Sequence, residues 1–279
     1  MKQLFLKYPY LIFLVLFVSF LASSCFSNKA SVSGNTFLKV VWSDEFNYSG
    51  LPDSSKWGYD VADGCPANCG WGNNEMQSYT VNRTKNARVE NGCLVVEAHR
   101  EKTGSKDYSS ARMVSKHKGD WTYGRIEVRA KLPHGLGVWP AIWMLPTDWV
   151  YGGWPKSGEI DIMENVGYLP DSLYGSVHTQ SFNHIMGTQA TAGLFSKTLS
   201  TEFHLYSIEW NADKIDFFFD DKKYLTFLNR HDGPDAWPFD RDFHLLINIA
   251  VGGNWGGKMG VDTKIWPQKM LVDYVRVYQ

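Results

Sequence analysis

Polarity alternates residue by residue along much of this chain, and a period of two describes a β-strand, not a helix. Across Gly124–Leu132, Ile126, Val128, Ala130 and Leu132 face one way, and Arg125, Glu127, Arg129 and Lys131 face the other. Leu94, Val96 and Ala98 alternate in the same way with Val95, Glu97 and His99. Ser207–Trp210 and Ile215–Phe219 flank the turn Asn211-Ala212-Asp213-Lys214, which reads as a hairpin, and Asp220–Lys223 is the next turn. Phe243–Val251 is a longer strand stopped by Gly252-Gly253, and Leu271–Tyr278 closes the chain. After the first 25 residues no amphipathic helical run of 12 or more residues occurs. Many short strands with regular turn signals predict an all-β fold, a sandwich of two antiparallel sheets.

One strand departs from this pattern in an informative way. Glu159-Ile160-Asp161-Ile162-Met163-Glu164 places three carboxylates within six residues. As a strand, Glu159 and Asp161 share one face and the isoleucines fill the other. Strict alternation would then bury Glu164 with the isoleucines, at a cost of several kcal/mol for an unpaired carboxylate (on the order of the penalties in). One extra residue near Met163, a β-bulge, returns Glu164 to the face of the other two acids. Paired carboxyls on one face are what cleavage of a glycosidic bond requires. An E-x-D pair alone is more often a solvated strand face, but the bulged run is far more specific. Gly158 lets the chain enter closely, and Gly167 and Pro170 end the run.

The remaining composition bounds the partners. The chain has 279 residues and a formal net charge of −1, which offers nothing to nucleic acid. Its 12 Trp, 14 Tyr and 16 Phe suit both a β-rich core and a cleft in which pyranose rings lie on aromatic faces. Residues 1–25 read as a signal: Lys2 and Lys7 precede the apolar run Leu11–Leu21, and Leu21-Ala22-Ser23-Ser24-Cys25 follows. This resembles a bacterial lipoprotein signal with Cys25 as the lipidated residue, although Leu21 lies one position further from the cysteine than that pattern has it. The expectation is an exported, envelope-anchored protein that touches the membrane only through Cys25. Residues 26–36 read as a short tether and 37–279 as one domain. Export permits disulfides, and Cys65 and Cys69 could close a small loop, while Cys93 opens an apolar strand and reads as a buried thiol. A zinc site is not expected, because there is no second Cys pair and no His at metal spacing.

Residues from about Phe37 to Gln279 resemble glycoside hydrolase family sixteen, and within it the laminarinase-like endo-β-1,3-glucanases. The resemblance rests on separate motifs: Trp71-Gly72-Asn73-Asn74-Glu75, Tyr123-Gly124-Arg125 running to Lys131-Leu132-Pro133, Trp139-Pro140-Ala141-Ile142-Trp143, the bulged acid run, and Gly252-Gly253-Asn254-Trp255-Gly256-Gly257. It implies a β-jelly-roll with an open concave substrate cleft. It further implies Glu159 as nucleophile, Glu164 as general acid/base, and Asp161 as the residue between them that sets protonation. Spacing alone fits either assignment of the two glutamates. His178 matches a position lining the cleft near the acid/base, where a lone strand histidine would otherwise read as structural. Trp139 and Trp143, four residues apart on one strand face, resemble sugar platforms; the bland reading is a pair of core tryptophans. Asn74 and Arg112 resemble donors to sugar hydroxyls, with a surface ion pair as the competing reading for the arginine. Trp255, in its glycine-rich loop, resembles another cleft-wall stacker.

No cofactor for catalysis is implied. A structural Ca²⁺ is implied, at Glu45, the Gly92 carbonyl and Asp273. Asp273 shares its strand face with Val275 and Val277, so strict alternation points it inward, toward a hard cation or a buried Arg or Lys partner. The expected substrate is a laminarin-type β-1,3-glucan and the expected state a monomer. The alternatives are mixed-linkage β-glucan or a red-algal galactan as substrate, a non-catalytic glucan-binding lectin, and a transglycosylase. Met163, the bulge residue, argues against the lichenase-type branch, and three intact acids argue against a lectin.

Overall fold

The computed structural model describes residues 39–279, which fall in one compact unit. The signal, the Cys25 anchor and the 26–36 tether lie outside the described residues. Two sheets form the fold, as the alternation predicts. A ten-stranded sheet runs in the order Lys222–Leu228, Lys214–Phe219, His204–Trp210, Gly124–Lys131, Gln268–Tyr278, Cys93–Thr103, Lys106–Ser110 and Gln77–Tyr79. Val40–Asp44 and Ala87–Glu90 pair onto it at Gln268–Tyr278 and Cys93–Thr103. An eight-stranded sheet runs Ala190–Phe195, Ser172–His178, Glu159–Asn165, Val138–Pro146, Phe243–Val251, Arg112–Val114 and Gly58–Asp60, with Asp120–Trp121 set against Phe243–Val251. Pairing is antiparallel throughout except where Gln77–Tyr79 lies parallel to Lys106–Ser110. Among the described residues the one helical element is the 3₁₀ turn Cys69–Gly72. This is the β-jelly-roll sandwich.

The core lies between the sheets and takes the apolar parity of each strand. Ile126, Val128 and Ala130 meet Val272, Val275 and Val277 within the larger sheet, and Ile142, Met144, Ile160, Ile247 and Ile249 cover them from the smaller one. Each large apolar side chain fully buried in this way contributes about 1.5–3 kcal/mol relative to exposure. The outward parity of the larger sheet is charged and self-compensating: Arg125 bonds Glu127 at 2.6 Å and Glu209 at 2.9 Å. Cys65 and Cys69 form a disulfide, while Cys93 is free and half-buried, more accessible than a core thiol.

The closing strand corrects one expectation. Its register slips between Val272 and Tyr274, so Asp273 is the extra residue of a bulge. The buried parity changes from Met270 and Val272 to Val275 and Val277, and Asp273 turns outward instead of into the core. Its carboxylate meets Arg129. Glu45, opposite this strand, is held by Arg276 through two bonds of 2.8 and 2.7 Å. The two carboxylates expected to serve Ca²⁺ therefore each face a guanidinium already, beside the exposed Gly92.

Candidate active site

The acid strand Glu159–Asn165 lies between Val138–Pro146 and Ser172–His178. Asp161 stands opposite Trp143 on one side and Ser176 on the other; Glu164 stands opposite Ala141 and Tyr174. Both ladders slip by one residue between these positions, which is the bulge read from the sequence. Its effect is visible in burial. Ile160, Ile162 and Met163 are in the core, while Glu159 and Glu164 are half-buried and Asp161 is almost fully covered. All three acids thus leave the core on the same face of the sheet.

Each carboxylate has a specific neighbour. The Trp154 indole N–H donates to Glu159 Oε2 at 3.1 Å, and the Trp139 indole N–H donates to Glu164 Oε1 at 3.0 Å. His178, directly opposite Glu159, brings Nε2 to 3.2 Å from Asp161 Oδ2 and 3.9 Å from Glu159 Oε1. The imidazole is therefore a shared partner for the first two acids, and the third is held from the other side by Trp139. Glu159, Asp161 and His178 each offer a ligand atom within 4.8 Å of the others, the one such group among the described residues. His178 Nε2 and Asp161 Oδ2 are close, yet Asp161 Oδ2 is buried without a hydrogen-bond partner.

Comparison with known proteins agrees with this geometry. The model of the family described as glycosyl hydrolases family 16 matches residues 74–276. This chain belongs to glycoside hydrolase family 16. It is 52% identical over 248 residues to a β-glucanase of Rhodothermus marinus, covering 86% of this chain and 85% of that protein. The crystal structure of the laminarinase from Rhodothermus marinus superposes with a TM-score of 0.83 at 51% identity, over 86% of this chain and 97% of that one. Glucan endo-1,3-beta-glucosidase A1 of Niallia circulans is 40% identical over 263 residues, 87% of this chain and 38% of the relative. The chain is a glycoside hydrolase.

Burial acts on all three acids of this family 16 site, and repulsion among them adds to it. Burial pushes Asp161 up to about 8. Burial, and then the Asp161 charge, push Glu159 and Glu164 up to about 8 as well. Removing a carboxylate from water penalises its ionised form, and adjacent like charges add to that. His178 favours the anions of both Glu159 and Glu164; Arg112 does so further for Glu159, and the Trp139 N–H for Glu164.

The flanks are built from two arms. On one, the buried Arg112 guanidinium lies between the rings of Trp71 and Trp143, 4.4 and 4.6 Å from their centroids, with Nε 3.0 Å from Asp60. The ion pair weighed for Arg112 is therefore present, but in a buried stack beside the acids. The Trp143 indole N–H donates to Asn248 at 2.7 Å, the Asn248 amide donates to the Tyr79 hydroxyl at 3.0 Å, and Gln77 donates to the buried Glu75 at 2.6 Å. On the other arm, Trp255 meets Trp139 and Tyr174 edge-on, each at 5.5 Å between centroids. Asn74 donates to Asn254 at 2.8 Å, and the Asn254 backbone N–H donates to the Asn73 carbonyl at 2.7 Å. These contacts join the loop carrying Asn74 to the loop carrying Trp255. Asn74 sits at φ +55°, a left-handed conformation that asparagine tolerates better than most residues.

Sequence reasoning missed Trp154, Asn248 and His184, and took Trp71 and Glu75 only as motif positions without a role in the site. Trp154 had the clearest signal, a tryptophan in a Gly/Pro-rich loop five residues before Glu159. His184 completes a cluster with Trp154 and His178, 5.2 Å from each ring, and nothing in its local sequence announces that contact.

Proposed function

We propose that this family 16 enzyme is an endo-acting hydrolase of laminarin-type β-1,3-glucan that works by double displacement. The observation that carries the reading is the bulged strand, which brings Glu159, Asp161 and Glu164 onto one face between aromatic walls. Glu159 attacks the anomeric carbon as the glycosidic C–O bond breaks, and Glu164 gives its proton to the departing oxygen. The covalent glycosyl-enzyme is then opened by water, whose proton returns to Glu164 and whose oxygen joins the anomeric carbon, releasing Glu159. Trp154 and Trp139 fix the two carboxylates through their indole N–H groups. Asp161, with His178 Nε2 at 3.2 Å, stands beside the nucleophile and moderates the charge that accumulates there. Trp139, Trp143 and Trp255 offer ring surface for pyranose faces, and Asn74 and Arg112 offer donors to sugar hydroxyls.

The same reading takes the chain as exported and anchored through lipid at Cys25, acting as a monomer. The charged, apolar and small-residue sequence of the first 25 positions supports that part. A Ca²⁺ at Glu45, the Gly92 carbonyl and Asp273 would compete with Arg276 and Arg129. A melting temperature raised by added calcium and restored by a chelator is the result that would support it.

Product analysis on laminarin, mixed-linkage β-glucan and agarose, beside the Glu159→Gln variant, tests the function. Short laminari-oligosaccharides from laminarin, absent with the variant, are expected. Release only from a galactan keeps the mechanism and overturns the substrate. Binding without release from any of the three supports the lectin.

A further inference from the structure

The bulge that delivers Glu164 creates a structural problem of its own. Opposite Val138–Pro146 the pairing steps from Asp161 with Trp143 to Met163 with Ile142, which leaves Ile162 outside the ladder. Opposite Ser172–His178 it steps from Asp161 with Ser176 to Glu164 with Tyr174. Ile162 is 1% exposed, so its carbonyl faces protein. One hydrogen-bond donor to it comes from the other sheet. Tyr224, on the strand Lys222–Leu228, reaches across the sandwich and donates its hydroxyl to the Ile162 carbonyl in a long bond of 3.5 Å.

The route of that side chain is built in. Gly175 lies on Ser172–His178, beside the bulge, and its φ is not in the left-handed region, so backbone conformation does not demand glycine there. Space does. A Cβ on Gly175 would stand 2.4 Å from the Tyr224 hydroxyl oxygen and 3.0 Å from Phe217 Cδ1. The Tyr224 ring is itself steadied by Phe217, 6.3 Å between centroids. Glycine at 175 and tyrosine at 224 thus act as one unit, a gap and the strut that fills it.

We propose that Tyr224 is a positioning residue for catalysis: its hydroxyl pins the bulge at Ile162 and so sets where Glu164 stands relative to Glu159. Glu164 is two residues beyond the pinned carbonyl, and a misplaced proton donor loses rate steeply with fractions of an ångström. Burial, and then the Asp161 charge, keep the tyrosine hydroxyl protonated and therefore a donor. Tyr224 touches no substrate, so its loss acts on turnover and not on binding.

This inference rests on the glucanase reading, which wild-type turnover of laminarin in the same assay tests by itself. Tyr224→Phe removes only the hydroxyl. The expected result is a fall in kcat of about 10-fold with KM within about twofold of wild type and an unchanged melting temperature. Gly175→Ala is expected to lose more. The double variant Gly175→Ala/Tyr224→Phe is expected to recover part of that loss, because removing the hydroxyl relieves the closest contact. Wild-type kcat in Tyr224→Phe overturns the proposal. A lowered kcat accompanied by raised KM and a lowered melting temperature also overturns it, by making Tyr224 a packing residue. Purely additive losses in the double variant would show that the gap and the strut are not one unit.

Discussion

Two acids in this fold, one in each sheet, stand where strict alternation would bury them, and each leaves the core through a bulge. Glu164 escapes between positions 161 and 164 of the smaller sheet, and Asp273 escapes between Val272 and Tyr274 of the larger one. The backbone device is the same, but the company differs. Asp273 emerges on an outward face, side chain 35% exposed, against Arg129. Glu164 emerges beside two further carboxyls that share one imidazole, and the arginine nearest the group is stacked between tryptophans. A bulge therefore explains how an acid reaches a face, and its neighbours explain what it does there. On the outer sheet charge is neutralised pairwise. In the cleft it is left uncompensated, and burial with mutual repulsion raises the carboxyls well above the ordinary carboxylate range.

The largest expected effect breaks the comparison at its catalytic end. Glu164→Gln removes the proton donor while keeping the shape, and kcat should fall by about 10²–10⁴-fold with the fold intact. Robust turnover on laminarin would move the acid/base role elsewhere. Next comes the donor to the nucleophile. Trp154→Phe keeps a ring but loses the N–H to Glu159, a bond to an ionised group worth about 1.5–3 kcal/mol, so kcat should fall by about 10–100-fold. A change confined to KM would make Trp154 a substrate platform and not a support for Glu159.

A third measurement reads the uncompensated charge as stability. The folded state raises the Glu164 carboxyl from its ordinary value to about 8, so between roughly pH 4.5 and 8 the folded chain keeps a proton that the unfolded chain has lost. The contribution of that group is fully present below about pH 4.5 and is lost as the pH rises to about 8. Glu164→Gln cannot ionise. Its melting temperature should therefore exceed that of the wild type by about 2–6 °C at pH 8 and by much less at pH 5. Equal differences at both pH values would show that the gain has nothing to do with ionisation.

The two bulges also mark how far the sequence can be read. Parity placed Glu164 correctly because Ile160, Ile162 and Met163 are all apolar, leaving a buried acid as the only alternative to a slip. The same reasoning was available at Asp273, where Val272, Val275 and Val277 fit one face only if a residue is added between them. What the bulge overturns is strict alternation, which points Asp273 inward. Strands and the acid cluster were legible because period and parity are local. Arg112 stacking on Trp71 and Trp143, Asn248 linking Trp143 to Tyr79, and Tyr224 reaching Ile162 join positions 31 to 169 residues apart, set by which strands become neighbours. No window of the sequence contains both partners.

The smallest effect tests the outer bulge. Asp273→Asn keeps the size of the side chain and removes its charge, leaving Arg129 exposed to solvent on a face that water already reaches. Ion pairs of this kind contribute about 0–1 kcal/mol, so the melting temperature should drop by at most about 4 °C, and by less in high salt. Activity on laminarin should not change, because the cleft lies on the other sheet. A larger loss of stability, reproduced in the wild type by a chelator, would mean that a cation and not Arg129 is the partner of Asp273 in solution. The two acids would then differ in a further respect: one would be left uncompensated for proton transfer, and the other would be compensated by a metal that the ion pairs displace only in its absence.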